Sequence, residues 1–223
     1  MKTNFFKYQA QTSPNPLALE ISHAKGSYIF DSKGKKYLDF VAGVSANSLG
    51  HNHPKVSQAI KNQLDKHAHV MVYGEFIQKA QVELCKALSE SFPNKKMVVY
   101  LTNSGTEATE GALKLAKKVT GRSEIISAKN SYHGNTQGAM SVSGSEHQNQ
   151  AFRPLVPGAK FIRFNDESDI DKITHKTAAV ILETIQGGAG FIIPENDFLN
   201  KVKQKCDSAV SYTHLTLPTI SSV

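Results

Sequence analysis

Three short stretches hold the side chains able to do chemistry, and each lies where an apolar run gives way to small and polar residues. In VVYLTNSGTEATEGALKLAKK, Val98 to Lys118, the turn is built from Thr102, Asn103, Ser104, Gly105 and Thr106. Ser104 and Glu107 stand three apart, the spacing of a capping box, and Gly105 leaves the backbone open to close approach. The free N–H groups and positive dipole end of a helix that starts there suit a phosphate. A capped helix with no ligand accounts for the same residues. In KNSYHGNT, Lys129 to Thr136, Tyr132 and His133 stand beside Gly134. An aromatic ring at that level either stacks on a flat ligand ring or closes the edge of a core. In ILETIQGGAGFIIP, Ile181 to Pro194, Glu183 and Gln186 pass from an apolar run into a Gly-rich turn. A carboxylate there serves a ligand or bonds to neighbouring backbone.

These groups have to be positioned by an alternation of strands and helices. The pattern predicts a strand over Met97–Thr102, a helix over Thr106–Val119, a strand over Glu124–Ala128, then an irregular loop. A strand over Phe161–Phe164, a helix over about Ser168–Ile173, a strand over Ala178–Ile185 and a helix over Asp197–Lys205 follow. Ala108, Ala112, Leu115, Ala116 and Val119 form the expected buried stripe of the first of these helices. Such an order implies an α/β fold with a mainly parallel sheet flanked by helices. Open sheets of this kind bind ligands at the carboxyl ends of their strands, which directs attention to the loops after Thr102, Ala128 and Ile185. Upstream, SYIFDSKGKKYLDF reads as a hairpin turning at Ser32 to Lys35, with Tyr28, Phe30, Tyr37 and Phe40 as its apolar set. Val56, Ile60 and Leu64 recur every fourth residue after Pro54, and a second helix is expected over about Phe76 to Ser91.

Composition limits the functional classes. The 223 residues are 39% hydrophobic, enough to bury one sizeable core, and the formal charge is +7. The lysines are scattered, with KGKK at Lys33 to Lys36 the longest cluster. No basic stripe is interleaved with stacking aromatics, so no nucleic-acid partner is expected. No apolar run reaches spanning length and the first residues lack the order of a signal peptide, so no membrane association is expected and the cytoplasm is the expected location. Cys85 and Cys206 have neither C-x-x-C nor zinc spacing. His51 and His53 lack further ligands at a usual spacing, so no metal site is expected. G-x-x-x-x-G-K-[ST] and G-x-G-x-x-G are both absent, which weakens a nucleotide-binding dehydrogenase reading and favours a phosphate on something other than a nucleotide.

Taken together, GSYIFDSKGKKYLDFVAGVSANSLGHNHP, TNSGTEATEGALKLAKK, SYHGN and ETIQGG resemble, in order and spacing, the class III aminotransferases. These are pyridoxal-phosphate enzymes of the acetylornithine, ornithine and ω-amino-acid type. The likeness runs from about residue 15 to Asp207, roughly the first half of such an enzyme. It implies the fold type I of pyridoxal-phosphate transferases, with residues 1–48 as an N-terminal segment of the small domain and 49–207 as an incomplete large domain. It also implies that Ser104, Gly105 and Thr106 bind the cofactor phosphate and that Tyr132 stacks on its ring. His133, Gly134, Glu183 and Gln186 join them as cofactor-binding candidates. Gly43 to Asn47 would line the substrate entrance, with Val44, Ser45 and Asn135 as substrate-binding candidates. A homodimer follows by the same resemblance, with Val70 to Phe76 as a candidate boundary segment.

Two positions depart from the family pattern. Asn135 stands where many acetylornithine-type members carry an Arg, and Gly188 where many carry a Glu. Each removes a charge used to sort carboxylates, so the donor and the 2-oxo acid stay open and an acetylornithine- or ornithine-specific enzyme is one candidate. Beyond DFLNKVKQKCD the family continues to an aspartate that meets the pyridine nitrogen and to the Schiff-base lysine. This chain reads SAVSYTHLTLPTISSV, Ser208 to Val223, in which VSYTHLTLPT resembles a translated sequencing adapter. The chain as written is therefore expected to lack both catalytic groups and to be neither stably folded nor active alone. A non-catalytic binding fragment is the alternative.

Overall fold

The computed structural model describes residues 1–71, 74–92 and 97–209. They fall into two compact units, Met1–Gln78 and a second beginning at Lys79. The helix that starts at Pro54, assigned above to the large domain, therefore lies in the first unit.

In the first unit, helix α1 (Lys2–Tyr8) precedes an antiparallel sheet of β1 (Ile21–Lys25), β2 (Tyr28–Asp31) and β3 (Lys36–Leu38) in that order. The expected hairpin is β2–β3, and Asp31 fixes its turn. One carboxylate oxygen accepts the N–H groups of Lys33 and Lys35 at 2.9 and 2.8 Å, and the other accepts the Tyr37 hydroxyl at 2.9 Å. The apolar set differs from expectation. Tyr37 pairs with Ile29, while Tyr28 pairs with Leu38 and Phe30 with Lys36. Directly opposed residues share a face, so Tyr37 lies on the face opposite Tyr28 and Phe30, and Phe40 is 90% exposed beyond the ladder. His23 of β1 stacks on Phe30 with ring centroids 4.4 Å apart. Next, α2 (Ala42–Ser45) is a single turn whose four residues all have positive φ, between 47° and 65°. Helix α3 (Pro54–Leu64) starts with proline in its first turn, where the missing N–H costs no hydrogen bond. The expected Val56, Ile60, Leu64 stripe is exposed in this unit.

The second unit opens with α4 (Lys79–Ser91) and α5 (Gly105–Thr120). Between them, Met97–Thr102 forms no strand among the described residues, contrary to the sequence pattern. Val98 and Tyr100 are 97% and 85% exposed there. Alternation marks a strand only where a neighbour supplies the ladder, and no described strand lies beside this segment. Helix α5 ends at Gly121, whose left-handed φ of 65° lets its N–H reach the Lys117 carbonyl. Strand β4 (Glu124–Ala128) then runs parallel to both β5 (Ala159–Ile162) and β6 (Thr177–Ile181), in the order β5-β4-β6. Between β4 and β5 lie α6 (Gln137–Val142), α7 (Glu146–Asn149) and a 3₁₀ turn, and another 3₁₀ segment, Glu167–Lys172, precedes β6. Helix α8 (Phe198–Ser208) follows.

The period of two along β4 sends successive side chains to opposite faces, and two cores result. Ile125 packs with Leu113 and Ala116 of α5, Val142 of α6, and Ala179 and Ile181 of β6. Ile126 packs with Ile162, Ile170, Ile173, and Phe198, Val202 and Cys206 of α8. The α5 stripe is thus Thr109, Ala112, Leu113 and Ala116, whereas Leu115 and Val119 are half exposed. Among the described residues no helix is long and apolar enough to cross a membrane.

Candidate active site

Both the β4 and β6 strands end at the same sheet edge, and the start of α5 is tied to the loop after β4. The α5 cap forms as its spacing predicts. The Ser104 hydroxyl accepts the Glu107 N–H at 3.2 Å, while the Glu107 carboxylate reaches back to the Asn103 N–H at 2.8 Å, one residue earlier than in a regular capping box. The N–H groups of Gly105 and Thr106 have no acceptor among the described residues, as expected for the first positions of a helix. Space above Gly105 is open, since a Cβ added there meets nothing within 4 Å.

The loop after β4 is pressed onto this turn. A Cβ on Gly134 would overlap the Thr106 side chain and lie 2.9 Å from Thr106 Cα, and the Gly134 φ of +127° is one that L side chains rarely adopt. Thr106 Oγ1 and Thr136 Oγ1 are 2.7 Å apart, and the Thr136 N–H donates to Thr106 Oγ1 at 3.2 Å. The Thr136 hydroxyl donates to Glu110 Oε1 at 2.6 Å. A carboxylate oxygen only accepts, so the Thr136 proton is spent on Glu110 and the Thr106 hydroxyl donates to Thr136. An anion at this turn would therefore meet the Gly105 and Thr106 N–H groups, not the Thr106 hydroxyl.

Tyr132 and His133, adjacent in sequence, face opposite ways. The Tyr132 side chain is about half exposed and its N–H donates to Glu183 Oε2 at 3.3 Å. The His133 ring is buried, with Nε2 3.1 Å from Ser127 Oγ, and its N–H donates to Ser143 Oγ at 2.9 Å. Burial holds its pKa down at about 4, so the ring is neutral. Thr109 Oγ1 lies 3.0 Å from the His133 carbonyl. Glu183 joins the third loop as well, because its other oxygen accepts the Gly187 N–H at 3.1 Å. Burial raises the Glu183 pKa, and N–H donors from Tyr132, Gly187 and Gly188 offset part of that. Gln186 is buried, with its Nε2 spent on the Lys129 carbonyl at 2.6 Å. Asn135 is exposed.

The sequence candidates thus fall into groups. Thr106 and Gly134 meet directly beside the open Gly105, Glu183 ties Tyr132 to the Gly187 turn, and His133 and Gln186 brace the loops from beneath. Val44 and Ser45 belong to the first unit, on the left-handed turn α2. Sequence reasoning missed Glu110 and Thr136. Glu110 shows only as the second acid of TEATEG, and its three partners lie 26, 28 and 29 residues along the chain. Among the described residues no group of three or more His, Cys, Asp or Glu is placed to hold a metal ion. His51 Nε2 instead pairs with Asp39 at 2.7 Å.

The chain is similar to the acetylornithine aminotransferase of Methanothermobacter thermautotrophicus, with 42% identity covering 82% of this chain and 46% of that protein. It is 39% identical to the LysW-aminoadipate semialdehyde/glutamate semialdehyde transaminase of Sulfolobus acidocaldarius, over 86% of this chain and 49% of the relative. An ornithine aminotransferase structure from Toxoplasma gondii, whose active site is partly occupied by PLP, superimposes with TM-score 0.84 at 29% identity. That match covers 95% of this chain and 51% of the other. The chain thus spans about half the length of the relatives it matches. A match to the class-III aminotransferase family model over residues 8–210 makes the chain a member of that family.

Proposed function

We propose that this chain carries the cofactor-phosphate and ring-stacking part of a pyridoxal-phosphate-dependent transaminase. The enzyme moves an amino group between an amino acid or ω-amine donor and a 2-oxo acid. The observation that carries this reading is the α5 start, with two unaccepted N–H groups and open space above Gly105, pinned to the loop that bears a half-exposed tyrosine. That donor set fits a phosphate dianion, which fixed N–H groups and a helix dipole meet without rearrangement.

Ser104, Gly105 and Thr106 would hold the phosphate. Ser104 acts by capping, Gly105 by leaving room, and both Gly105 and Thr106 by donating N–H. Tyr132 would cover a ring face, and Gly134 and Glu183 fix the loop that presents it. His133 and Gln186 support the same loop from beneath. Bound there, pyridoxal phosphate supplies the carbonyl and electron-withdrawing ring on which amine and ketone are exchanged. The imine-forming lysine and the pyridine-nitrogen aspartate belong, in the family, to the length that this chain does not span. Val44, Ser45 and Asn135 are proposed to face the substrate. Neither Asn135 nor Gly188 offers a charge to a substrate carboxylate, which favours a broad donor range over one fixed on acetylornithine.

We also propose a homodimer and a cytoplasmic location. Two positions of Val70 to Phe76, the candidate boundary, lie outside the described residues, and so do all of residues 210–223 of the adapter-like tail.

The test is Gly105→Val in a full-length enzyme carrying this chain. A Cβ at this position meets nothing within 4 Å, so the fold should survive while pyridoxal-phosphate affinity falls at least roughly tenfold, as expected when a fixed phosphate site is blocked. Normal affinity in that variant would place the phosphate elsewhere. Binding of a nicotinamide dinucleotide in place of pyridoxal phosphate would favour the dehydrogenase reading.

A further inference from the structure

Glu110 is one turn into α5 and reaches across to the following helix. Its Oε1 accepts three donors at once: the Thr136 hydroxyl at 2.6 Å, the Gly138 N–H at 2.8 Å and the Ala139 N–H at 3.1 Å. The latter two are among the orphan donors that open α6. Through Thr136 the contact continues to Thr106, so one carboxylate joins the start of α6, the loop after β4 and the first turn of α5. Burial alone would raise the Glu110 pKa, but these hydrogen bonds outweigh it and hold the carboxyl below its ordinary range. It is therefore ionised and unable to donate at neutral pH.

Packing around the carboxylate is close. A Cβ on Gly138 would overlap Glu110 Oε2, so glycine at this position is what admits the carboxylate against α6. No local cap explains the arrangement: the Ser104 cap of α5 is complete without Glu110, and Thr136, the N-cap residue of α6, caps nothing with its own side chain. Its hydroxyl is turned to Glu110 instead. The direction of the hydroxyl chain, Thr106 to Thr136 to Glu110, follows from the charge at its end.

We propose that Glu110 is a positioning residue for the cofactor-phosphate turn, acting through Thr136 to hold Thr106 and its N–H where the phosphate is received. This rests on the reading of Ser104 to Thr106 as the phosphate site. Glu110 touches neither cofactor nor substrate. Its effect falls on the phosphate end of the ligand, which separates it from a residue that merely supports the fold.

The experiment measures dissociation constants of pyridoxal phosphate and of pyridoxal, which lacks the phosphate, by fluorescence titration of the apo form of a full-length enzyme carrying this chain. The ratio of the two isolates the phosphate contribution. Glu110→Ala should lower the preference for pyridoxal phosphate about tenfold while affinity for pyridoxal changes little, the pattern for loss of a charge-assisted network at one end of a ligand. Glu110→Gln keeps an oxygen able to accept all three donors and should retain the preference within roughly threefold. Gly138→Ala displaces the carboxylate without removing it and should act in the direction of the alanine variant, which covers the case in which Glu110→Ala does not fold. An unchanged ratio in Glu110→Ala, or in Gly138→Ala if the former does not fold, overturns the proposal and leaves the phosphate assignment standing. A wild-type enzyme with no preference for pyridoxal phosphate over pyridoxal overturns both.

Discussion

His51 Nε2 stands 2.7 Å from Asp39 Oδ2, and the other oxygen of that carboxylate accepts the N–H groups of Val41 at 3.0 Å and Ala42 at 2.9 Å. The His51 backbone is in turn paired with Gly26, N–H to carbonyl in both directions at 2.8 and 2.9 Å. Asp39 therefore links the chain leaving the antiparallel sheet to the left-handed turn α2, in which Ala42, Val44 and Ser45 adopt a backbone conformation costly for residues with a Cβ. A turn of this kind persists only when its surroundings fix it.

In a full-length enzyme carrying this chain, the protein in which each variant below is measured, replacing Asp39 with Ala should release that turn. Hydrogen exchange at the Val41 and Ala42 amides is expected to accelerate roughly tenfold or more, since local opening governs exchange there. The His51 hydrogen bond, then the Ala42 N–H, holds the Asp39 carboxyl below its ordinary 3.8. A carboxyl depressed on folding contributes stability above its unfolded pKa and loses it as pH falls through the folded value. The turn should thus loosen in wild-type protein only below about pH 3.8. Equal amide exchange in wild type and variant at neutral pH would refute this role.

Leu113 and Leu115 separate what the sequence could say about α5 from what it could not. Helical periodicity suggested Leu115 and Val119 for the core, yet Leu113 is buried at 9% exposure and Leu115 is 50% exposed. The period of 3.6 defines a stripe but not its rotation, and here the buried face runs through Thr109, Ala112, Leu113 and Ala116. Leu113→Ala should cost about 2–4 kcal/mol and Leu115→Ala less than about 1 kcal/mol in chemical denaturation. A reversal would put the stripe back where periodicity placed it.

Local signals survived better than distant ones. The Ser104 cap, the hairpin turn at Ser32 to Lys35 and the α5–β4 order were legible because each depends on residues within a few positions. The Met97–Thr102 strand was not, because a ladder depends on a partner that no local pattern names. Glu110 escaped for the same reason, with partners more than twenty residues away. Tyr132 and His133 are adjacent candidates on one loop, yet one ring is left half-exposed and the other is buried beside Ser127, a difference that sequence adjacency does not show.

Gly134 carries a sharper test than Gly105. Alanine at 134 would overlap Thr106 and hold a φ of +127°, so Gly134→Ala should lower stability by about 1–3 kcal/mol and weaken pyridoxal-phosphate binding as the two loops part. Thermal unfolding and cofactor titration check the two effects. A variant as stable as wild type would mean that the loops are not in contact.

His133 makes stability depend on pH with a definite sign. Its pKa is held at about 4 in the fold against an ordinary 6.5. Between these values the unfolded chain binds more protons, so stability falls as pH drops from about 6.5 toward 4, by on the order of 3 kcal/mol. His133→Gln should flatten that slope. Proton NMR of the folded protein should show the His133 ring titrating near 4, well below the ordinary 6.5, and titration near 6.5 would contradict the buried, neutral ring.

Glu183 acts in the opposite direction, and the two can be separated by variant. Burial raises its pKa above the ordinary 4.5, so the folded chain binds the proton more tightly than the unfolded chain. A group raised on folding contributes stability below its unfolded pKa and loses it as pH rises through the folded value, where the carboxylate must ionise in a half-buried site. Glu183→Gln removes that ionisation. It also sets an amide NH₂ against either the Tyr132 or the Gly187 N–H, a loss of one acceptor that costs about 1–3 kcal/mol and does not depend on pH. The difference in unfolding free energy between variant and wild type should therefore start as a destabilisation near pH 4 and shrink as pH rises above 4.5, with Tyr132 amide exchange faster in the variant throughout. A difference that stays constant with pH would mean that Glu183 ionises as freely in the fold as in the unfolded chain, and its hydrogen bonds to the two loops would then be its only contribution to the site.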